Sequence, residues 1–155
     1  MQTSSTVLDC LQEAIAIHWS AIQIYKSEQH HLARLGYSKL AKKMADDVAE
    51  ELEHLDRLVR RAEEFDVNCD FDHELMEHPR MPDIKGLLEF NLKLEMQSRD
   101  IERECISVAR EASDEVTANL VTKNLKSSEE AVIDIESNLK QLDAIGTDNW
   151  LANMV

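Results

Sequence analysis

Apolar residues recur every three or four positions through four long stretches of this chain, and almost nothing interrupts them. Val7, Leu11, Ala14 with Ile15, His18, Ala21 with Ile22 and Tyr25 form the first stripe, between Val7 and about Leu35. The second, from about Ser38 to Phe65, holds Leu40, Met44, Val48, Glu51, Leu55 and Leu58. The third begins near Pro82 and Asp83 and carries Leu87, Leu88, Asn91, Leu94 with Glu95, Ser98, Ile101 and Cys105. The fourth runs from about Ser113 through Val121, Leu125, Ser128, Val132, Ile135, Leu139 and Leu142. Such spacing follows the 3.6-residue turn of a helix rather than the alternation of a strand. With only 3 Gly and 2 Pro in 155 residues, few positions favour breaking a helix. The expectation is an all-α fold of four long helices.

The punctuation sets the connections. Ser4 and Ser5 offer capping hydroxyls to the first helix. A short turn at Gly36 makes the first two helices antiparallel neighbours, and Gly146 stops the fourth. Both prolines fall in "DVNCDFDHELMEHPRMPD", residues 66 to 83, which reads as a long connection. The tail "TDNWLANMV" has room for about two more helical turns, anchored by Trp150 and Leu151. Two topologies fit: a bundle with one long crossover, or an up-down bundle with a loose loop at 66–82. Either suits one domain over residues 1–155.

The charge balance narrows the partners. Formal net charge is −14, from 31 acidic against 17 basic residues. That sign repels phosphates and anionic membrane surfaces and attracts cations, so neither nucleic acid nor membrane is expected as a partner. The amino-terminal stretch lacks a basic segment followed by an apolar core, and no run approaches the ~18 apolar residues of a membrane span. A cytoplasmic protein is expected. Cys10, Cys69 and Cys105 are odd in number and widely spaced, which argues for reduced thiols rather than a disulfide framework or a thiolate zinc cluster.

Polar residues on the apolar stripes carry the functional information, because an unpaired buried charge costs several kcal/mol and calls for a partner or a metal. Glu51 and His54, three apart on the second helix, share a face. His18 lies on the first helix and Glu95 on the third, each at a level the other groups reach. Two imidazoles with one or two carboxylates suit Fe(II), Mn(II) or Zn(II). Alone, a Glu-x-x-His is commonly a surface pair, and a single histidine on an apolar face is commonly a hydrogen-bonded core residue. The coincidence of four ligand-type residues on three inward faces favours a metal site at His18, Glu51, His54 and Glu95.

At these residues the chain resembles a bacterioferritin over nearly its whole length. The matching pieces are "AIQIY" at 21–25, "EELEHLDRL" at 50–58, "LKLE" ending at Glu95, and "IESNLKQLDAIGTDNWL" at 135–151. The resemblance implies the ferritin-like four-helix bundle with one long crossover and a short fifth C-terminal helix, two-fold dimers, and a hollow many-subunit cage (a 24-mer in that family) that stores iron. Glu51 and His54 match the family's second-helix ligands and Glu95 its bridging glutamate. His18 stands where the family has a glutamate, seven residues before Tyr25. The family's fourth-helix Glu-x-x-His falls on Ser128 and Ala131, so the second half of the di-iron site is missing. Glu129, Glu130 and Asp134 are expected to face the flank or exterior rather than replace it. The family's haem-ligating methionine is Leu52 here, so haem is not expected; Met44 and Met96 read as core filler.

Three functions follow from this reading. The first is an iron-storage cage subunit with an incomplete ferroxidase centre, in a homo-oligomer or a mixed cage with related subunits. The second is a metalloprotein with one mononuclear site for Fe, Zn or Mn, of the two-His, one-carboxylate type. The third is a metal-free structural or partner subunit in which Glu51 and Glu95 satisfy His18 and His54. A DNA-protecting mini-ferritin would want basic tails, which this acidic chain does not offer.

Overall fold

The computed structural model describes residues 3–69 and 83–155, and among these every regular element is helical. The helices are α1 (Ser5–Arg34), α2 (Ser38–Glu63), α3 (Ile84–Glu111), α4 (Glu115–Ile145) and the short α5 (Thr147–Ala152). Their starts are fixed locally. Ser4 Oγ accepts from the Val7 N–H at 3.2 Å, Asp83 Oδ1 from Gly86 at 2.8 Å, and Asp114 Oδ1 from Thr117 at 3.0 Å. Each carboxylate or hydroxyl satisfies an amide that the first turn leaves without a helical acceptor. α3 therefore starts on an Asp83 cap; Pro82 lies outside the described residues. α4 starts at Glu115, two residues later than expected, because Ser113 adopts φ 59° to make the turn and Asp114 caps the helix. Gly36 and Gly146 take φ 88° and 86°, a left-handed backbone that glycine adopts without a Cβ penalty.

Cross-helix pairs define the topology. His18 meets Glu51 across the α1–α2 pair. His18 also meets Glu102, Tyr25 meets Glu95, and Glu28 meets Asn91; numbers rise on α1 as they fall on α3, so these helices are antiparallel. Arg57 with Asn124 and Lys43 with Asp134 make α2 antiparallel to α4. Lys85 with Asp143 and Arg103 with Glu129 make α3 antiparallel to α4 as well; α2 and α3 both oppose α4, so they run parallel to each other, and the chain leaves α2 at the end of the bundle opposite the one where it enters α3. This arrangement decides for the long crossover and against the up-down bundle, in which consecutive helices alternate in direction. Most of the connection, residues 70–82, lies outside the described residues.

The stripes become the core. Leu11, Leu58 and Leu94, from three different helices, are at most 1% exposed; truncating any one to Ala removes roughly 2–5 kcal/mol through lost burial and the residual cavity. Met44 fills the core as expected, whereas Met96 is 37% exposed, on the edge of an open groove beside α1. On α4 the fit is looser: Val121, Ser128, Val132 and Leu142 are buried, while Leu125, Ile135 and Leu139 are half-buried. The C-terminal tail folds back on the start of α2, where Met154 O accepts from the Lys39 N–H at 3.0 Å. That bond serves a first-turn amide at a helix start with no side-chain cap. Trp150, 1% exposed, donates its indole N–H to Gln141. No helix among the described residues is long and apolar enough to cross a membrane.

Candidate metal centre

Midway along the bundle the inward polar residues meet. His18 is fully buried and its ring is held at both nitrogens: Nδ1 lies 2.5 Å from Glu51 Oε2 and Nε2 lies 2.9 Å from Glu102 Oε1. Burial disfavours the imidazolium, but the two carboxylates outweigh it and push the His18 pKa up to about 10. The same pairing works on Glu51. Burial alone would raise its pKa, yet His18 and then His54 hold it down to about 2.

His54 completes the group from α2. Its ring stands edge-on to His18, with centroids 5.1 Å apart, and its Nδ1 lies 3.4 Å from Glu51 Oε1. The two atoms are close enough to attract as charges but do not meet in hydrogen-bonding geometry, so Nδ1 is buried without a hydrogen-bond partner. The helix backbone beneath is tied to α4 by Asn124, which donates to the His54 carbonyl at 3.2 Å and accepts from Arg57 at 3.0 Å. Among the described residues, His18, Glu51 and His54 form the set whose ligand atoms all fall within 4.8 Å of one another.

A cavity of about 40 Å³ opens beside them, lined by Glu51, His54, Glu95, Asn91, Tyr25 and Ala131 among others. It is larger than the ~10–15 Å³ one water needs. Glu95 reaches this cavity but stands outside the close set, its Oε1 accepting from the Tyr25 hydroxyl at 2.5 Å. Burial and the neighbouring Glu51 charge push its pKa up to about 8, which the Tyr25 hydrogen bond only partly offsets. One turn beyond Tyr25, Glu28 is fully buried and accepts from Asn91 Nδ2 at 2.7 Å; burial raises it too, to about 8.

On α4, Ser128 is 1% exposed with its Oγ lacking a hydrogen-bond partner, and Ala131 presents a methyl group to the cavity. Neither is a metal donor of any strength. Asp134 is 54% exposed at the cavity mouth, facing Lys43 at 3.6 Å, and Glu129 pairs outward with Arg103 at 2.6 Å. Leu52 is 48% exposed on the outer face of α2.

Glu102 and Glu28 are absent from the sequence-based list of inward polar residues, and Glu102 rather than Glu95 is the second carboxylate on His18. A regular alternation of fours and threes along α3, Asn91, Glu95, Ser98, Glu102, Cys105, finds Glu102; following the apolar residue Ile101 instead steps past it. Ile101 is in fact only half-buried.

Two imidazoles and a carboxylate converging in a buried, roomy setting form the donor set that borderline divalent ions take. The chain is 26% identical to a protein named bacterial ferritin from Neisseria meningitidis serogroup B, over 159 aligned residues covering 97% of each chain. It is also 26% identical to a bacterioferritin from Brucella melitensis, over 152 residues, covering 97% of this chain and 92% of that one. The family model described as "Ferritin-like domain" matches residues 8–145, nearly the whole of the bundle whose topology and buried histidine–carboxylate group are described above, and the chain belongs to that family.

Proposed function

We infer that this chain serves iron storage, taking Fe(II) as cargo at one site formed by His18, Glu51 and His54, with Glu95 as a further carboxylate across the cavity. The observation that carries the reading is His54 Nδ1, a strong donor atom buried without a hydrogen-bond partner at 3.4 Å from a carboxylate oxygen. A buried polar group left this way costs on the order of 1–3 kcal/mol, which a bound cation would recover. Membership of the ferritin-like family and relatives named as ferritins support iron as that cation, and an assembly of many such subunits, homomeric or mixed, as its setting. Ser128 and Ala131 support a single-ion site in place of a two-iron centre, so oxidation of Fe(II) by a pair of metals is expected to be weak. Zn(II) and Mn(II) suit the same donors.

A second reading draws on His18. With both nitrogens held by carboxylates and its charged form favoured, the His18 imidazolium neutralises the site without metal, as a structural subunit would require. Metal stoichiometry separates the two. Protein stripped of metal is refilled anaerobically with Fe(II), and metal per chain and assembly size are measured on one sample. About one ion per chain supports the single-ion site; none supports the structural subunit; two overturns the incomplete centre. Replacing Ser128 with Glu and Ala131 with His is expected to raise the count by about one ion per chain, and no gain would show that more than the ligand set has diverged.

A further inference from the structure

We propose that Glu102 is the positioning residue of the metal site: it accepts the His18 Nε2–H and so aims Nδ1 of that ring at Glu51 and the bound cation. The proposal rests on the single-ion reading above. A carboxylate at position 18 would present oxygens to the site and only carbon behind them. An imidazole there brings a second nitrogen on its far side, and that nitrogen needs its own acceptor. Glu102 supplies it from α3, at 2.9 Å, with both side chains fully buried.

The geometry makes the pairing specific. The antiparallel register of α1 and α3 that sets Tyr25 against Glu95 also sets His18 against Glu102, seven residues along each helix. Glu102 Oε2 has no hydrogen-bond partner, so among the described residues the His18 contact is the hydrogen bond that holds this carboxylate. A metal-binding histidine whose outer nitrogen donates to a carboxylate is fixed in tautomer and ring orientation and made more basic; loss of such a partner weakens metal binding roughly 10–100-fold. With Glu102 removed, the ring can turn about its Cβ–Cγ bond and offer either nitrogen.

The test uses the full chain with Zn(II) and Co(II) as probes. Affinities come from chelator competition, Co(II) ligand-field spectra report the geometry, and ¹⁵N-histidine spectra of the Zn(II) form report which His18 nitrogen carries the metal. In the parent, Nδ1 is expected to be metallated and Nε2 protonated. Glu102→Leu should weaken Zn(II) binding roughly 10–100-fold, shift the Co(II) bands and mix or swap the His18 nitrogens. Glu102→Gln, which keeps a neutral acceptor, should fall between the two and carries the test if the Leu variant fails to fold. Parent-like affinity and parent-like His18 signals in the Gln and Leu variants would overturn the proposal, as would metallation of Nε2 in the parent. His18→Ala distinguishes the levels of failure. If it weakens binding while the Glu102 variants do not, only the role of Glu102 falls. If it leaves binding intact, or the parent binds no metal, the site assignment falls and the proposal with it.

Discussion

Two levels of the same bundle, two helical turns apart, are built from the same acidic residue type and end in opposite states. At the His18 level, Glu51 is ionised far below the ordinary carboxylate range, with a pKa near 2. At the Tyr25 level, Glu95 and Glu28 are both pushed up to about 8. All three are at most 5% exposed, so burial does not distinguish them. At Glu51 the difference is direct contact with a cation: His18 touches Glu51 and Glu102, whereas Glu95 accepts from a tyrosine hydroxyl and feels the His18 charge only from farther off. A buried carboxylate is set by whether positive charge lies within reach. The second level is thus where an incoming cation would change the charge state most.

The largest expected effect breaks the first level. His54→Ala should weaken Zn(II) binding by more than roughly 100-fold, since even an outer partner of a ligand is worth roughly 10–100-fold. Its stability should drop only a little, because the truncation also removes an unsatisfied nitrogen. Full metal occupancy in chelator-competition titrations of this variant would sink the ligand assignment.

Glu51→Gln strips the first level of its compensation and leaves the imidazolium with Glu102 alone. Removing one partner of a buried pair costs on the order of 3 kcal/mol at neutral pH, to be read as a shift in urea midpoint at constant slope. An unchanged midpoint would mean that Glu102 suffices to hold His18.

Next comes pH. For the metal-free protein, the Glu28 and Glu95 pKa values rise on folding from 4.5 to about 8, and that of His18 from 6.5 to about 10. Their contributions are fully present below the unfolded values and are lost as pH climbs through 8 and then 10. Glu51, lowered from 4.5 to about 2, contributes above 4.5 and loses its contribution as pH falls through 2. Stability should therefore peak at or just below pH 4.5 and decline toward pH 8 and beyond. Glu28→Gln should flatten the decline between pH 5 and 9, and saturating Zn(II) should flatten the part due to Glu95. Thermal scans at stepped pH check both; identical slopes in parent and variant would show that Glu28 does not resist ionisation.

The smallest effect is a control on the same helix. Arg103, next to Glu102 in sequence, pairs with Glu129 at 2.6 Å, but both side chains are about half exposed. Arg103→Ala should cost less than about 1 kcal/mol. A larger loss would mean that exposed cations matter here as much as buried ones.

The helices, their inward faces and three of the residues that converge are legible in the order of amino acids alone. Periodicity is a local property: Val7 to Tyr25 and Leu40 to Leu58 repeat with the helical turn whatever surrounds them, and Ser4, Gly36 and Gly146 mark ends through their own backbone chemistry. Glu51 and His54 are three apart on one helix, so their shared face needed no tertiary information. Which helices run parallel, and which side chain stands opposite which, emerge only when the bundle is assembled. The direction of α3 makes Glu102 the partner of His18 and Tyr25 the partner of Glu95, pairings 84 and 70 residues apart that no local pattern encodes. The charge states followed from those pairings, because attraction between charges falls with distance and grows in a dry interior, and both quantities exist only once the bundle has closed.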